Sequence, residues 1–191
     1  MDSVSDQQFS DWASRLRTSD ETALDELFDQ TFEIYVRYAW RFTKDKPSAV
    51  DIVQNSFIKL WNIRADLDPS QSLKTYIYRM VKNNALNYLR DHRQFSLSME
   101  DIQLADPDSE IDVLPEELPL ARHLERWIEA LPRRQKQAFE LSRYEGLTHE
   151  EIAEVMDVAP RTVNNHIVAA LNTLKGQYEQ FREQRESRYE Q

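Results

Sequence analysis

The 191-residue sequence predicts an all-α fold: two small helical domains joined by an acidic flexible linker, the C-terminal one containing a helix-turn-helix. Three observations predict it. Apolar residues recur at three- and four-residue steps nearly throughout, the period of a helix with one buried face, and no stretch alternates with the two-residue period of a half-buried strand. Residues 95–119 interrupt that pattern with Pro107, Pro115 and Pro119 and only scattered apolar residues. From Thr148 to Leu174, caps, a short turn and two apolar faces follow in the order that two short crossed helices require.

Thr18-Ser19-Asp20-Glu21 reads as a helix N-cap, and Leu24, Leu27, Phe28, Phe32, Tyr35, Tyr38 and Phe42 form the face that follows, up to Lys46-Pro47. A second helix carries Val50, Val53, Phe57, Leu60 and Trp61 on one side and ends at the turn-like Asp66-Leu67-Asp68-Pro69-Ser70. A third is expected from near Ser72 to about His92. The acidic linker then holds too little apolar surface to offset the entropy of ordering. It is a plain tether or a mimic of nucleic acid in a basic channel. Helical spacing resumes at Leu120, Leu124, Trp127, Ile128 and Leu131, stops at Pro132, and continues over about Arg134–Tyr144 to Gly146, suited to a left-handed C-cap.

Thr148-His149-Glu150-Glu151 matches a capping box, with Ile152, Ala153, Val155 and Met156 apolar behind it. Asp157-Val158-Ala159 makes a turn, and Pro160 suits the first position of a last helix that is expected to bury Val163, Ile167, Ala170, Leu171 and Leu174. A polar helical pattern (Tyr178, Phe181, Arg182, Arg185) runs on through the tail, residues 177–191. Trp12, Trp40, Trp61 and Trp127 share helical spacing with apolar neighbours, so all four are expected in the core.

Composition excludes several classes of function. Without cysteine there is no disulfide framework, thiolate metal site or Cys nucleophile. Gly146 and Gly176 are the only glycines, too few for a phosphate-binding loop. No apolar run approaches the ~20 residues that span a bilayer. The acidic N-terminus does not read as a signal peptide. The expected location is cytoplasmic. His92, His123, His149 and His166 are isolated, and Ala153 stands where a zinc-protease motif begun by His149-Glu150 needs its second ligand. No active site, metal or cofactor is expected, and the protein is not read as an enzyme.

The net charge of −10 is unevenly spread. Residues 1–33 hold nine acids and two bases, and residues 94–121 hold eight acids and no base. Residues 74–93, by contrast, hold five bases and one acid, while 158–178 hold Arg161 and Lys175 and no acid. An acidic total argues against strong unaided DNA binding, which rests on phosphate neutralisation. The two local windows still suit it. In a helix-turn-helix the start of the second helix meets base edges; here its unburied positions are Arg161, Thr162, Asn164, Asn165, Val168 and Ala169, with His166 at the border. Asn pairs with adenine and Arg with guanine or phosphate. On the third helix, Arg79, Lys82, Arg90 and Arg93 fall in an arc of about 80°. Tyr76, Tyr78 and Tyr88 lie nearby and Asn83 and Asn87 flank the stripe, an arrangement for tracking phosphates and stacking bases. A solvated cationic face is the plainer alternative.

Three stretches together resemble an extracytoplasmic-function sigma factor of the sigma-70 family. Residues 49–61 (AVDIVQNSFIKLW) are similar to the family helix that docks on the clamp helices of RNA polymerase. Residues 72–93 (SLKTYIYRMVKNNALNYLRDHR) are similar to the segment that recognises and opens the minus-ten element. Leu131 to Lys175 resembles the module that binds the minus-thirty-five element, with Pro160-Arg161-Thr162-Val163 opening its recognition helix. The resemblance implies domains over 1–94 and 120–176, with 95–119 threading the RNA exit path. It implies Asp51, Gln54, Asn55 and Lys59 as polymerase-binding residues. Tyr76, Arg79, Lys82, Asn83, Asn87 and Arg90 are implied at the minus-ten element, and Arg161, Thr162, Asn164, Asn165, His166 and Val168 at the minus-thirty-five element. Core polymerase, promoter DNA and a cognate anti-sigma factor are the implied partners. Tyr76 stands where many relatives have Trp, Asn87 where they have an acid, and Ala159 where a Ser cap is frequent. A LuxR-like regulator and a protein-binding helical adaptor are the competing readings.

Overall fold

The structure, a computed structural model, describes residues 4–68, 71–97 and 120–189, with 93–97 and 186–189 described through their backbone alone. These residues form eight α-helices and one 3-10 turn, with no strand among them. The chain divides into two compact units, residues 1–103 and 104–191. Residues 98–119 of the expected linker lie outside the described residues, as do Pro69 and Ser70 of the expected turn, the side chain of Arg93, and Glu190 and Gln191 of the tail.

The first unit contains α1 (Asp6–Arg17), α2 (Glu21–Thr43), α3 (Lys46–Asn62), the 3-10 turn Arg64–Asp66 and α4 (Leu73–Leu97). Helix α1 is an addition to the sequence reading. Its start is a capping box in which Ser5 accepts from the Gln8 amide while the Gln8 side chain takes the Ser5 amide. Phe9, Trp12, Ala13 and Leu16, at helical spacing, bury against α2 and α4. Asp20 caps α2 by accepting from the Thr22 and Ala23 amides. Lys44, left-handed at φ 54°, closes it. Asp45 then caps α3, with Pro47 in the first turn where a missing N–H costs nothing.

The centre of this unit is aromatic. Tyr78 of α4 packs edge-on against Tyr35 and Tyr38 of α2, at ring-centroid distances of 4.9 and 5.0 Å. Phe57 of α3 meets Tyr35 and Phe28. All three tyrosines are fully buried. Burying one such side chain is worth about 1.5–3 kcal/mol, whereas an exposed ion pair is worth at most about 1 kcal/mol. The rings therefore set the packing. Trp40, expected in this core, lies instead in solvent with 44% of its surface exposed. It sits about 140–160° round α2 from Tyr35 and Tyr38, and the periodicity of so apolar a helix did not distinguish the two sides.

The second unit contains α5 (Leu120–Glu129), α6 (Arg133–Arg143), α7 (His149–Met156) and α8 (Pro160–Tyr189). Gly146 takes φ +63°, a conformation that L residues adopt with strain. The capping box of α7 closes as expected: the Glu151 amide donates to Thr148 Oγ1 at 3.2 Å and the Thr148 amide to Glu151 Oε2 at 2.9 Å. Asp157 turns the chain with φ 57°. Helices α5, α6 and α7 all pack on α8. Ile128, Leu131, Phe139, Ala170 and Leu174 form one cluster, and Ile152, Val155, Met156 and Val163 are buried at the α7–α8 crossing. Leu171, expected in this core, is 51% exposed. With Leu120, Leu124 and Tyr178 it lines an open apolar groove between α5, α6 and α8. Beyond the groove α8 continues into the tail, where the Phe181 ring packs on His123 and Trp127 of α5 at 4.6 and 5.8 Å.

An ionic network joins the ends of α1 and α2. Arg15 donates to Asp20 at 2.8 Å and forks onto both oxygens of Glu26 at 2.9 and 3.1 Å, and Trp12 Nε1 donates to Glu26 at 3.0 Å. The Thr22 hydroxyl and then the Arg15 guanidinium hold the Asp20 carboxyl down at about 2; Arg15 and then Trp12 lower that of Glu26. Folded values below the unfolded ones, about 3.9 for Asp and 4.3 for Glu, stabilise the fold above about pH 4. That stability is lost as pH falls through the folded values. Arg15→Gln is expected to lower the melting temperature at neutral pH, with the deficit against wild type shrinking as pH falls from about 4 to about 2. Thermal melts across a pH series check this, and a deficit constant over that range contradicts it.

Candidate nucleic-acid interface

Helix α4 presents its basic face because its other side is committed. Ile77, Tyr78, Val81 and Ala85 are buried, which turns Arg79, Asn83, Asn87 and Arg90 into solvent with Lys82 and Tyr76 half-buried at the margins. Two polar ties fix the rotation of α4 against α3. Asn84 Nδ2 donates to Ser56 Oγ at 2.8 Å, and Ser56 Oγ to the Ile52 carbonyl at 2.7 Å. Tyr88 meets Ser48 Oγ at 2.6 Å, and Ser48 in turn donates to Asp45, the α3 cap. The Ser48 hydroxyl, and after it the Ser48 amide, lowers the Asp45 carboxyl below its ordinary value.

The guanidinium of Arg79 lies 5.7 Å from the centre of the Tyr76 ring. Arg90 pairs with its neighbour Asp91 at 3.3 Å, both exposed, a contact too weak to withhold it from a phosphate. Tyr76 also faces a small cleft walled by Ala13 of α1, Ile63, Asp66, Asp68, Gln71 and Leu73. The α4 set therefore combines a cation track, an aromatic ring and acceptor groups within one side of the unit.

On α3, Asp51, Gln54, Asn55 and Lys59 are all exposed. At three- and four-residue steps they share one face. Ile58 lies among them and is 60% exposed. Sequence reasoning assigned apolar residues to the core and so passed over Ile58. The signal that finds it is its phase, since Val53, Phe57 and Leu60 already fill the inward positions.

The start of α8 stands clear of the helix-turn-helix core. Val163 is buried, while Arg161, Asn164, Asn165 and Val168 are exposed and Thr162 and His166 half-buried. Among the described residues the Arg161, Asn164 and Asn165 side chains make no hydrogen bond or ion pair. The Ala159 carbonyl accepts from the Thr162 and Val163 amides at 2.9 and 3.2 Å, so the helix opens without a side-chain cap. Arg134 Nη1 reaches the Met156 carbonyl at 3.3 Å and ties α6 to the end of α7. The structure thus gathers the α3 and α4 residues in the first unit and the α8 residues in the second. No helix among the described residues is long and apolar enough to cross a membrane.

Two family models match the chain: sigma-70 region 2 over residues 27–95 and sigma-70, region 4 over residues 122–174. The ECF RNA polymerase sigma-E factor of Salmonella typhimurium is 34% identical over 131 residues, covering 63% of this chain and 68% of that protein. Among solved structures, CnrH in complex with the cytosolic domain of CnrY has a TM-score of 0.64 at 18% identity, covering 90% of this chain and 97% of that one. The sigma factor RpoE in complex with the anti-sigma factor NepR from Bartonella quintana has a TM-score of 0.60 at 15% identity, covering 81% and 96%. The chain belongs to the extracytoplasmic-function group of the sigma-70 family, RNA polymerase sigma factors that direct transcription initiation.

Tyr88→Phe removes one hydroxyl from the tie between α3 and α4 and leaves the ring in place. We expect a loss of about 1 kcal/mol in the unfolding free energy of the first unit, read from urea denaturation. An unchanged midpoint would show that the bond does not hold α4.

Proposed function

We propose a division of labour among the three faces. The outer face of α3, with Asp51, Gln54, Asn55, Lys59 and the added Ile58, docks on core RNA polymerase. The α4 face engages the melted minus-ten strand: Arg79, Lys82 and Arg90 meet phosphates, Asn83 and Asn87 supply hydrogen bonds, and Tyr76 offers a ring beside a cleft whose carboxylates accept from base amino groups. The start of α8 enters the major groove at the minus-thirty-five element through Arg161, Thr162, Asn164, Asn165, His166 and Val168. In this reading residues 1–94 and 120–176 are the working domains, 95–119 spans between them, and the protein acts in the cytoplasm. It contributes binding and no chemistry of its own.

The observation that carries the reading is the exposed start of α8, in a chain whose other unit turns a cationic α4 face to solvent. An acidic chain binds DNA weakly alone, so polymerase supplies much of the affinity. A cognate anti-sigma factor is the further partner we infer, as one solved neighbour is held by such a factor.

Run-off transcription by bacterial core polymerase on pooled genomic promoter fragments, with and without the protein, tests the whole. New starts sharing two spaced upstream elements are expected; failure to bind core would overturn the reading. Asn164→Ala should weaken recognition of the upstream element by about 1–3 kcal/mol with core binding intact, as measured by promoter competition. Ile58→Asp should do the reverse. It is expected to weaken core binding at least tenfold, an effect of about 1.4 kcal/mol or more, while the melting temperature stays near wild type because the residue is exposed.

A further inference from the structure

The apolar groove of the second unit is covered by nothing among the described residues, and none of the three faces above uses it. It runs between α5, α6 and α8 and encloses about 630 Å³, the size of a ligand pocket. Leu120 and Leu124 of α5 and Leu171 and Tyr178 of α8 line it and are 42–51% exposed. Contiguous apolar surface of this kind marks a binding site, whereas singly scattered apolar residues do not. Among the described residues that line the groove, Arg143 and Lys175 are the charged ones, and both are exposed. Arg143 makes no hydrogen bond or ion pair among the described residues. Lys175 pairs loosely with the exposed Glu179, at 3.8 Å. The groove therefore fits an occupant that is both apolar and acidic.

The chain itself carries such a segment. Residues 111–118 (IDVLPEEL) set Ile111, Val113, Leu114 and Leu118 beside Asp112, Glu116 and Glu117, with no base among them. Pro119 alone separates them from Leu120, the residue that opens α5 and lines the groove. Six residues of chain span up to about 20 Å, and the α8 side of the groove, from Leu171 to Tyr178, is about 10 Å long, so Leu114 is within reach of Leu171. Residues 98–110 spread Met99, Ile102 and Leu104 over a longer stretch and match the groove less well. Tethering also favours the nearer segment. A short connection gives an effective concentration of millimolar order, so a contact with a dissociation constant of about 0.1 mM between separate molecules would be about nine-tenths occupied within one. Nucleic acid would satisfy the two cations but leave the four apolar side chains uncovered. A second copy docked by two-fold symmetry would bring its own Arg143 and Lys175 to the same groove, like charge against like.

We infer that residues 111–118 dock in this groove in the free protein, with Val113 and Leu114 against the Leu124, Leu171 and Tyr178 surface and Glu116 and Glu117 toward Arg143 and Lys175. The second unit then holds an internal occupant, which any partner that uses the groove must displace.

The chain has no cysteine, so a pair can be introduced without background. In the full-length protein carrying Leu114→Cys and Leu171→Cys, a disulfide within one molecule should form under mild oxidation. Adding Ile111→Asp and Val113→Asp leaves the tether length unchanged and should slow that disulfide about tenfold, because the segment is then mostly undocked. Glu116→Lys with Glu117→Lys should slow it a few-fold, as exposed ion pairs are weak, and Arg143→Glu with Lys175→Glu should restore the rate. A second reading uses no cysteine. The combined Ile111→Asp, Val113→Asp and Leu114→Asp variant should bind more of an apolar fluorescent dye than wild type, although its composition is less apolar, because the groove is vacated. Equal disulfide rates with and without the aspartates, or dye binding that stays the same or falls, would overturn the inference. So would a disulfide that forms between molecules at a rate set by protein concentration, which would make a second copy the occupant. Because these positions lie outside α3, α4 and the start of α8, failure here leaves the roles of those faces standing.

Discussion

The packing of one tyrosine between two others sets the rest of the first unit. Tyr78 sits against Tyr35 and Tyr38 with no freedom to turn, since all three rings are fully buried and a close-packed interior does not accommodate a rotated ring without a void or a clash. Helix α4 can therefore present only one face outward. Its basic residues occupy that face because the inward phase is filled by Ile77, Tyr78, Val81 and Ala85. The same rings orient α2, so the cationic end of that helix is turned outward by the contact that orients α4. Charge placement in this unit is a consequence of aromatic packing. Surface ion pairs of the Arg15 kind refine the ends of helices but are too weak to choose between faces.

The second unit reaches a similar outcome by different means. Its helices are short, and their order is written in local backbone chemistry: Gly146 in a left-handed turn, the Thr148–Glu151 box, Asp157 at positive φ and Pro160 at the start of α8. Each of these acts within three or four residues, so each was readable in the sequence, and the helix-turn-helix with them. Once α7 and α8 cross over Ile152, Val155, Met156 and Val163, the exposed positions of the first two turns of α8 follow from helical phase.

What the sequence did not disclose falls into two kinds. Helix α1 was missed although Ser5-Asp6-Gln7-Gln8 carries a capping box, because a short, polar opening gives few apolar positions from which to read a period. Exposure was misjudged at Trp40 and Leu171 and overlooked at Ile58. Periodicity says which residues share a face, not whether another helix covers it, and coverage depends on tertiary packing. At Trp40 and Ile58 a large apolar side chain remains in solvent where the covered positions of the same helix are already filled. Such residues are informative about partners because their exposure costs free energy that folding alone does not recover.

Helix α8 also works as a measuring rod. Its 30 residues make a cylinder about 45 Å long, with the exposed Arg161, Asn164 and Asn165 in its first two turns and the Phe181 ring, seated on His123 and Trp127, more than four turns beyond Asn164. Because a continuous α-helix is stiff over that span, the aim of Asn164 is registered against α5 at the far end as well as against α7 beside it. A shift of α5 by a fraction of an ångström at the Phe181 seat is carried along the rod as a change of angle at its first turns. The second unit thus sets the direction of the exposed α8 start from two fulcrums, and the polar tail is the arm that makes the second one possible.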